Sequence, residues 1–178
     1  MAETPGRTYA GEKLKVSFVP AGGIRDISAP TVTELNAETV LDLSCAAIKA
    51  QSKIGSTDSE TIDGQAAICE DTNAKAWGQG NAEVTLALFR YFKGNKADPD
   101  RDKIFQALKT KGVEGFIVTR HVDKRFDEAY ASGDEVSVYA VSFDQPHPVN
   151  EAEDRTKGYI RTIHNAQVTN FAEFKSVA

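Results

Sequence analysis

Residues 81–120 read NAEVTLALFRYFKGNKADPDRDKIFQALKTKGVEGFIVTR, and this stretch decides the fold. Its first part alternates: Ala82, Val84, Leu86 and Leu88 fall on one side, Asn81, Glu83 and Thr85 on the other. A period of two is that of a half-buried strand, expected over Asn81 to Phe92. The alternation stops at the polar turn Lys93-Gly94-Asn95-Lys96. Asp98 then suits a helix N-cap, and Pro99 suits the first helical position, where a missing N–H costs nothing. Ile104, Phe105 and Leu108 share one side of that helix. Asp100 and Asp102 fall in its first turn and Lys109 and Lys111 in its last, as the helix dipole favours, and Gly112 suits the stop. Val113 to Arg120, with Phe116, Ile117 and Val118, returns as a strand. No polar group in this unit is arranged for chemistry, so it reads as scaffold.

Upstream, Met1 to Glu12 is polar and reads as a flexible end. Leu14, Val16 and Phe18 alternate with Lys15 and Ser17 in a first strand closed by Pro20. Thr31 and Glu34 have capping-box spacing, with room for one helical turn before Asn36. Val40 to Leu43 and Ala46 to Ala50 read as short strands or one bulged strand. Residues 51–80 change character, rich in Ser, Thr, Asp, Gly and Asn. A span of that kind inside a domain is usually functional or disordered, and it reads as a projecting arm, with a short strand around Ala66 to Cys69. Its anchors are Ile54, Ile62, Ile68 and Trp77, with Ala67 beside them.

Downstream, Glu135 to Phe143 is apolar on both faces and reads as a central strand. Asp144 to Arg155 is a Pro-rich acidic loop. Gly158 to Asn165 has no clean face: Tyr159, Arg161 and Ile163 oppose Ile160, Thr162 and His164, which suits an edge or a seam between subunits. Gln167 to Phe174 suits another short strand or a docking tail. The fold class is therefore mainly β, an antiparallel sandwich or barrel-like domain over residues 1–178, with one flanking helix and a long projecting loop.

Composition narrows the function. The 178 residues suffice for one domain with a core, and the net charge of −5 argues against binding nucleic acid through a general basic face. No secretory signal is expected at the start, and no run approaches the roughly 20 apolar residues that span a bilayer. Cys45 and Cys69 lack a C-x-x-C arrangement and read as buried thiols in a reducing compartment.

Candidate chemistry is sparse. His121-Val122-Asp123 has the residues of half an acid–base pair, but a solvated loop is the ordinary reading. His147 lies between two prolines, and His164 reads as a sheet-surface residue. Three scattered histidines and two distant cysteines give no metal spacing, and Gly78-Gln79-Gly80 precedes a strand where a phosphate loop needs a helix. No enzyme and no cofactor are expected. Trp77 could stack on a sugar as in a carbohydrate-binding β-sandwich, though a loop anchor is the commoner role.

Three motifs carry a resemblance. Asp26-Ile27-Ser28-Ala29-Pro30-Thr31-Val32-Thr33-Glu34-Leu35-Asn36 follows the first strand, Gly115-Phe116-Ile117-Val118-Thr119-Arg120 forms a later one, and Gly133-Asp134-Glu135-Val136-Ser137-Val138-Tyr139 opens the next. Their order and spacing over roughly Lys13 to Phe143 resemble the major tail tube proteins of siphophages that infect actinobacteria. The resemblance implies a virion protein assembled in the host cytoplasm. Its copies would join into rings, typically hexameric, stacked as a hollow tube through which DNA passes without being bound. It implies as partners the chain itself, the terminator, the tape measure and the distal tail protein, with no membrane. It brings no catalytic residues. The rival readings are the carbohydrate-binding module, a secretion-system tube protein and a tail terminator.

Overall fold

The computed structural model describes residues 11–62, 76–77, 79–149 and 158–178. The chain is built around an eight-stranded antiparallel sheet. Its strands are β1 (Leu14–Pro20), β2 (Leu41–Asp42), β3 (Lys53–Thr57), β6 (Asn81–Phe89), β9 (Glu114–His121), β10 (Glu135–Phe143), β11 (His147–Pro148) and β12 (Arg161–Ser176). Their spatial order is β2-β1-β9-β10-β12-β6-β3, with β11 added beside β12. Two small ribbons stand apart: β4 (Thr61–Ile62) with β5 (Ala76–Trp77), and β7 (Phe92–Lys93) with β8 (Lys96–Ala97). The helices are short, α1 (Val32–Leu35) and α2 (Lys103–Leu108). The mainly β architecture holds, with one flanking helix, α2, and the single helical turn expected after the Thr31–Glu34 capping box, α1.

Register divides the core. Phe18 lies opposite Ile117, which lies opposite Tyr139. With Val16, Val141 and Phe143 they form one packed face, joined by Leu86 and Leu88 of β6 and by Ile104 and Leu108 of α2. The alternate residues Val19, Val118, Val136 and Val138 pack on the other face with Ile24, Leu35, Tyr130 and Val177. A sheet apolar on both sides has to be covered on both. The segment after β2 also curls the sheet toward closure. Leu43 N donates to Val16 O at one edge, while Ile48 N donates to Ala87 O and Phe89 N donates to Ala46 O at the other. This is why Ala46 to Ala50, read as a strand, is a hydrogen-bonded bridge between edges, with Ala47 opposite Leu88.

Four sequence expectations are corrected here. The helix begins at Lys103, five residues after the expected cap. Asp98 does act as a cap, but of a turn: its carboxylate accepts from the N–H groups of Asp100 and Arg101. Asp102 stands at the helix start without capping it, because its carboxylate is engaged by Arg90. Second, the stretches read as an edge or seam strand (158–165) and as another short strand or docking tail (167–174) are largely one element. Arg161–Ser176 form one long strand, β12, whose first part pairs with β6 and whose second part pairs with β10. Third, His164 is not on the surface. It is fully buried, with its ring edge-on to Phe105 and Phe143. Cys45 reverses the other way and is exposed, and Cys69 lies outside the described residues.

The span read as an arm starts inside the sheet. Lys53–Thr57 pairs with Asn81–Thr85 of β6, and Thr61–Ile62 pairs with Ala76–Trp77. The strand expected around Ala66 to Cys69 lies outside the described residues.

The three motifs are structural latches. Thr31 and Glu34 form the capping box: Glu34 N donates to Thr31 Oγ1, and Thr31 N donates to Glu34 Oε2. Asn36 clasps the backbone of Tyr130, donating to its carbonyl and accepting from its N–H. Val32 N donates to Ala178 O, and Ala178 N donates to Pro30 O, so the first motif holds the chain's last residue. Gly115 lies where a Cβ would stand 2.5 Å from the Phe18 ring and 2.5 Å from Val19 O. Gly133 turns into β10 with φ +86, a conformation L side chains rarely adopt. Arg120, at the end of the second motif, is fully buried and donates to the carbonyls of Arg125, Glu128 and Ala129 and to Asp134. Burial alone would push the Asp134 carboxyl up. Lys124, Ala131 N–H and Arg120 more than offset this and hold it below the usual range.

Candidate assembly surface

Most large apolar residues are inside, so the exposed ones carry information. Among the described residues these are Phe92, Tyr159, Ile160 and Phe174. Three of the four share one groove. Phe89, Tyr91, Phe92, Tyr159 and Ile160 line an open apolar depression of about 720 Å³. Phe89 and Tyr159 meet edge to face, 5.6 Å between ring centres.

Its floor is rigidly built. Arg90 N donates to Ile160 O at 2.9 Å, tying the two strand ends together. The Arg90 guanidinium lies 3.4 Å over the Phe105 ring and 4.9 Å from the Phe92 ring centre. It donates twice to the Asp102 carboxylate, at 2.9 and 3.0 Å. Tyr91 N and Gln106 Nε2 donate to the same carboxylate. Burial opposes ionisation of Asp102, but these donors prevail and hold its carboxyl below the usual range. A charge pair so satisfied fixes the backbone of Tyr91 and Phe92, leaving the Phe92 ring outward.

Phe174 stands at the opposite end of β12, 74% exposed. It is the one described residue other than glycine with positive φ, at 53°. Here Val136 pairs with Lys175 but Val138 pairs with Ala172, so two residues of β12 oppose Ser137 alone. This is a β-bulge, a device that re-aims a side chain. Such a conformation costs on the order of 1–3 kcal/mol for a non-glycine residue, and the neighbouring pairs hold it. Phe174 N donates to Ser137 Oγ, and Glu173 accepts from Tyr139 OH at 2.6 Å and from Ser56 N. Burial, and then the Glu173 carboxylate, push the Tyr139 hydroxyl well above its ordinary value, so it stays a donor.

The residues singled out in the sequence are dispersed. Ile54 is half-buried in β3 against the core, Ile62 and Trp77 lie on the paired strands β4 and β5, and Ile68 is outside the described residues. Of the seam residues, Tyr159 reaches the surface at 79% exposed. Arg161 and Ile163 sit within the sheet, opposite Phe89 and Ala87, so they face no free edge in the monomer. Phe92, Ile160 and Phe174 were missed. Their signal was weak but present: each large apolar residue lies at a strand end in a polar setting, Phe174 between Glu173 and Lys175.

A family model described as phage tail tube protein matches residues 1–178. The chain belongs to the phage tail tube protein family. No curated protein matches it. Among solved structures it is similar to a chain of the cryo-EM structure of the anti-feeding prophage (AFP) baseplate, 6-fold symmetrised. The TM-score is 0.54 and the identity 11%, over 97% of each chain. At that identity the likeness speaks for the fold. A tail tube protein is a structural component of the virion tail that assembles with copies of itself and with other tail proteins, and the family is not enzymatic. Among the described residues no group of His, Cys, Asp and Glu is placed to hold a metal ion. Among them, too, no helix is long and apolar enough to cross a membrane.

Proposed function

We propose that this protein is the major tail tube subunit of a siphophage with an actinobacterial host. Copies join into rings, six to a ring, and the rings stack into a hollow tube through which DNA passes. The match of the tail tube family to residues 1–178 carries this reading. The six-fold symmetry of the similar baseplate structure favours a ring of six. The host assignment rests on the three motifs quoted above.

The physics is compatible with a passive conduit. Six copies at −5 each carry a formal −30, and the part of it that faces the bore repels phosphate, so DNA slides without adhering. Joining sheets between copies also removes open strand edges, which otherwise invite uncontrolled pairing. Residues 51–80 serve as the ring-to-ring arm, with Ile54 rooting it in the sheet and Ile62, Ile68 and Trp77 as its outer anchors. Tyr159, Arg161 and Ile163 belong to the seam between neighbours. Assembly takes place in the host cytoplasm, with the terminator, tape measure and distal tail protein as end partners.

Negative-stain microscopy of the purified protein tests the reading. The expected images are hollow tubes or stacked rings. A particle that stays a single copy at every concentration and salt, while binding an oligosaccharide, overturns it in favour of a binding module.

A further inference from the structure

We propose that Phe174 of one copy seats in the Phe92–Tyr159–Ile160 groove of the next, so that β12 and its approach carry both halves of a head-to-tail contact. The inference rests on the tail tube reading for its occupant, a second copy of this chain.

The exposed apolar residues divide into a hole and a knob. Phe92, Tyr159 and Ile160 line the groove, and Phe174 stands alone. The two cannot satisfy each other within one chain. Ile160 precedes β12 and Phe174 lies near its far end. The fourteen residue steps from one to the other extend roughly 45 Å at the rise of a strand. A knob and a hole at different places on one surface generate a heterologous contact, the kind that closes into rings or extends as filaments. An aromatic side chain entering an apolar pocket is the usual centre of such a contact.

A further observation agrees. The bulge turns Phe174 outward, so that the residue is 74% exposed while Ser137 and the neighbouring pairs hold its backbone.

The contact is read directly with the photo-crosslinking residue p-benzoylphenylalanine at position 174 of the full chain. Irradiation at high protein concentration, followed by peptide mass spectrometry, is expected to give adducts to residues 89–92 or 158–160. A mixture of isotopically heavy and light protein identifies them as intermolecular. A second arm uses Phe174→Asp and Ile160→Asp, both at exposed positions, with circular dichroism to verify folding. Each variant alone is expected to lose elongation. Their equimolar mixture holds one intact knob and one intact groove per pair. It is expected to give particles of twice the mass seen for either variant alone, and nothing longer.

Adducts elsewhere, no adducts, unimpaired polymerisation of either folded variant, or a mixture no heavier than its parts each overturn the proposal. The arms separate it from the tail tube reading. Adducts in the groove without tubes or rings keep the contact and remove the tube. Tubes with adducts elsewhere keep the tube and remove the contact.

Discussion

His164 shows at the scale of one residue how burial sets chemistry. Its imidazole is fully buried between Phe105 and Phe143, with Thr162 Oγ1 at 3.0 Å from Nε2. Burial, reinforced by the charge of Arg90, lowers its pKa from an ordinary 6.5 to about 4. Unfolded, the ring takes a proton near pH 6.5; folded, only near pH 4. Between these values the unfolded chain binds more protons, so acidification favours unfolding. Above pH 6.5 the residue imposes no pH dependence, and by about pH 4 it removes about 3 kcal/mol of stability. Urea unfolding of wild type and His164→Leu at about pH 7.5 and about pH 4 measures this. Wild type should lose about 3 kcal/mol more than the variant between the two; equal losses would mean the ring titrates normally. The sequence did not give this residue away, because a histidine close to Arg161 in a strand of mixed polarity looks solvated. What buries it is α2, whose Phe105 reaches the ring from another part of the chain.

Among the elements, legibility follows parity. β1, β6, β9 and β10 were readable because their side chains alternate without interruption or are apolar throughout, and β10 is central as its two apolar faces require. β12 was not: its first part buries the polar Thr162 and His164, which leaves no clean apolar side. Its second part is broken by two register shifts against β10, between Val136 and Val138 and between Ala140 and Val141, and each shift exchanges the faces. Helix α2 was displaced for a related reason: a good capping residue, Asp98, is spent on the turn before it. The pairing of β1 with β9 rests on a residue the motif contains but does not explain. Gly115 has no positive φ to require it; it is there because the Phe18 ring and Val19 O lie within 2.5 Å of any Cβ. Gly115→Ala should therefore push the two strands apart and cost about 2 kcal/mol, the scale of overpacking in a filled core. The check is the urea midpoint, which should fall with an unchanged slope. A wild-type midpoint would show that Phe18 swings aside freely.

The molecule as a whole separates what holds one copy from what joins copies. The latches made by the three motifs lie inside the monomer, which is why a family resemblance was legible from them. They say little about the contacts between copies. The contacts proposed above use side chains that a single copy leaves exposed: Phe92, Tyr159 and Ile160 at the groove and Phe174 at the bulge. Periodicity reports burial within a fold, so it has no means of marking a surface buried only on assembly. The same separation makes the arm testable without disturbing the core. Thr61–Ile62 pairs with Ala76–Trp77, so residues 63–75 can be exchanged for Asn-Gly, a pair that closes a two-residue hairpin between facing positions. No residue of the main sheet changes, so the shortened chain should keep the wild-type circular dichroism and a single cooperative urea transition. Its assembly should nevertheless fail, with electron micrographs showing isolated rings or single copies where wild type forms tubes. Tubes of normal length from the shortened chain would place the ring-to-ring grip elsewhere, and would leave the contact at Phe174 as the stronger candidate for it.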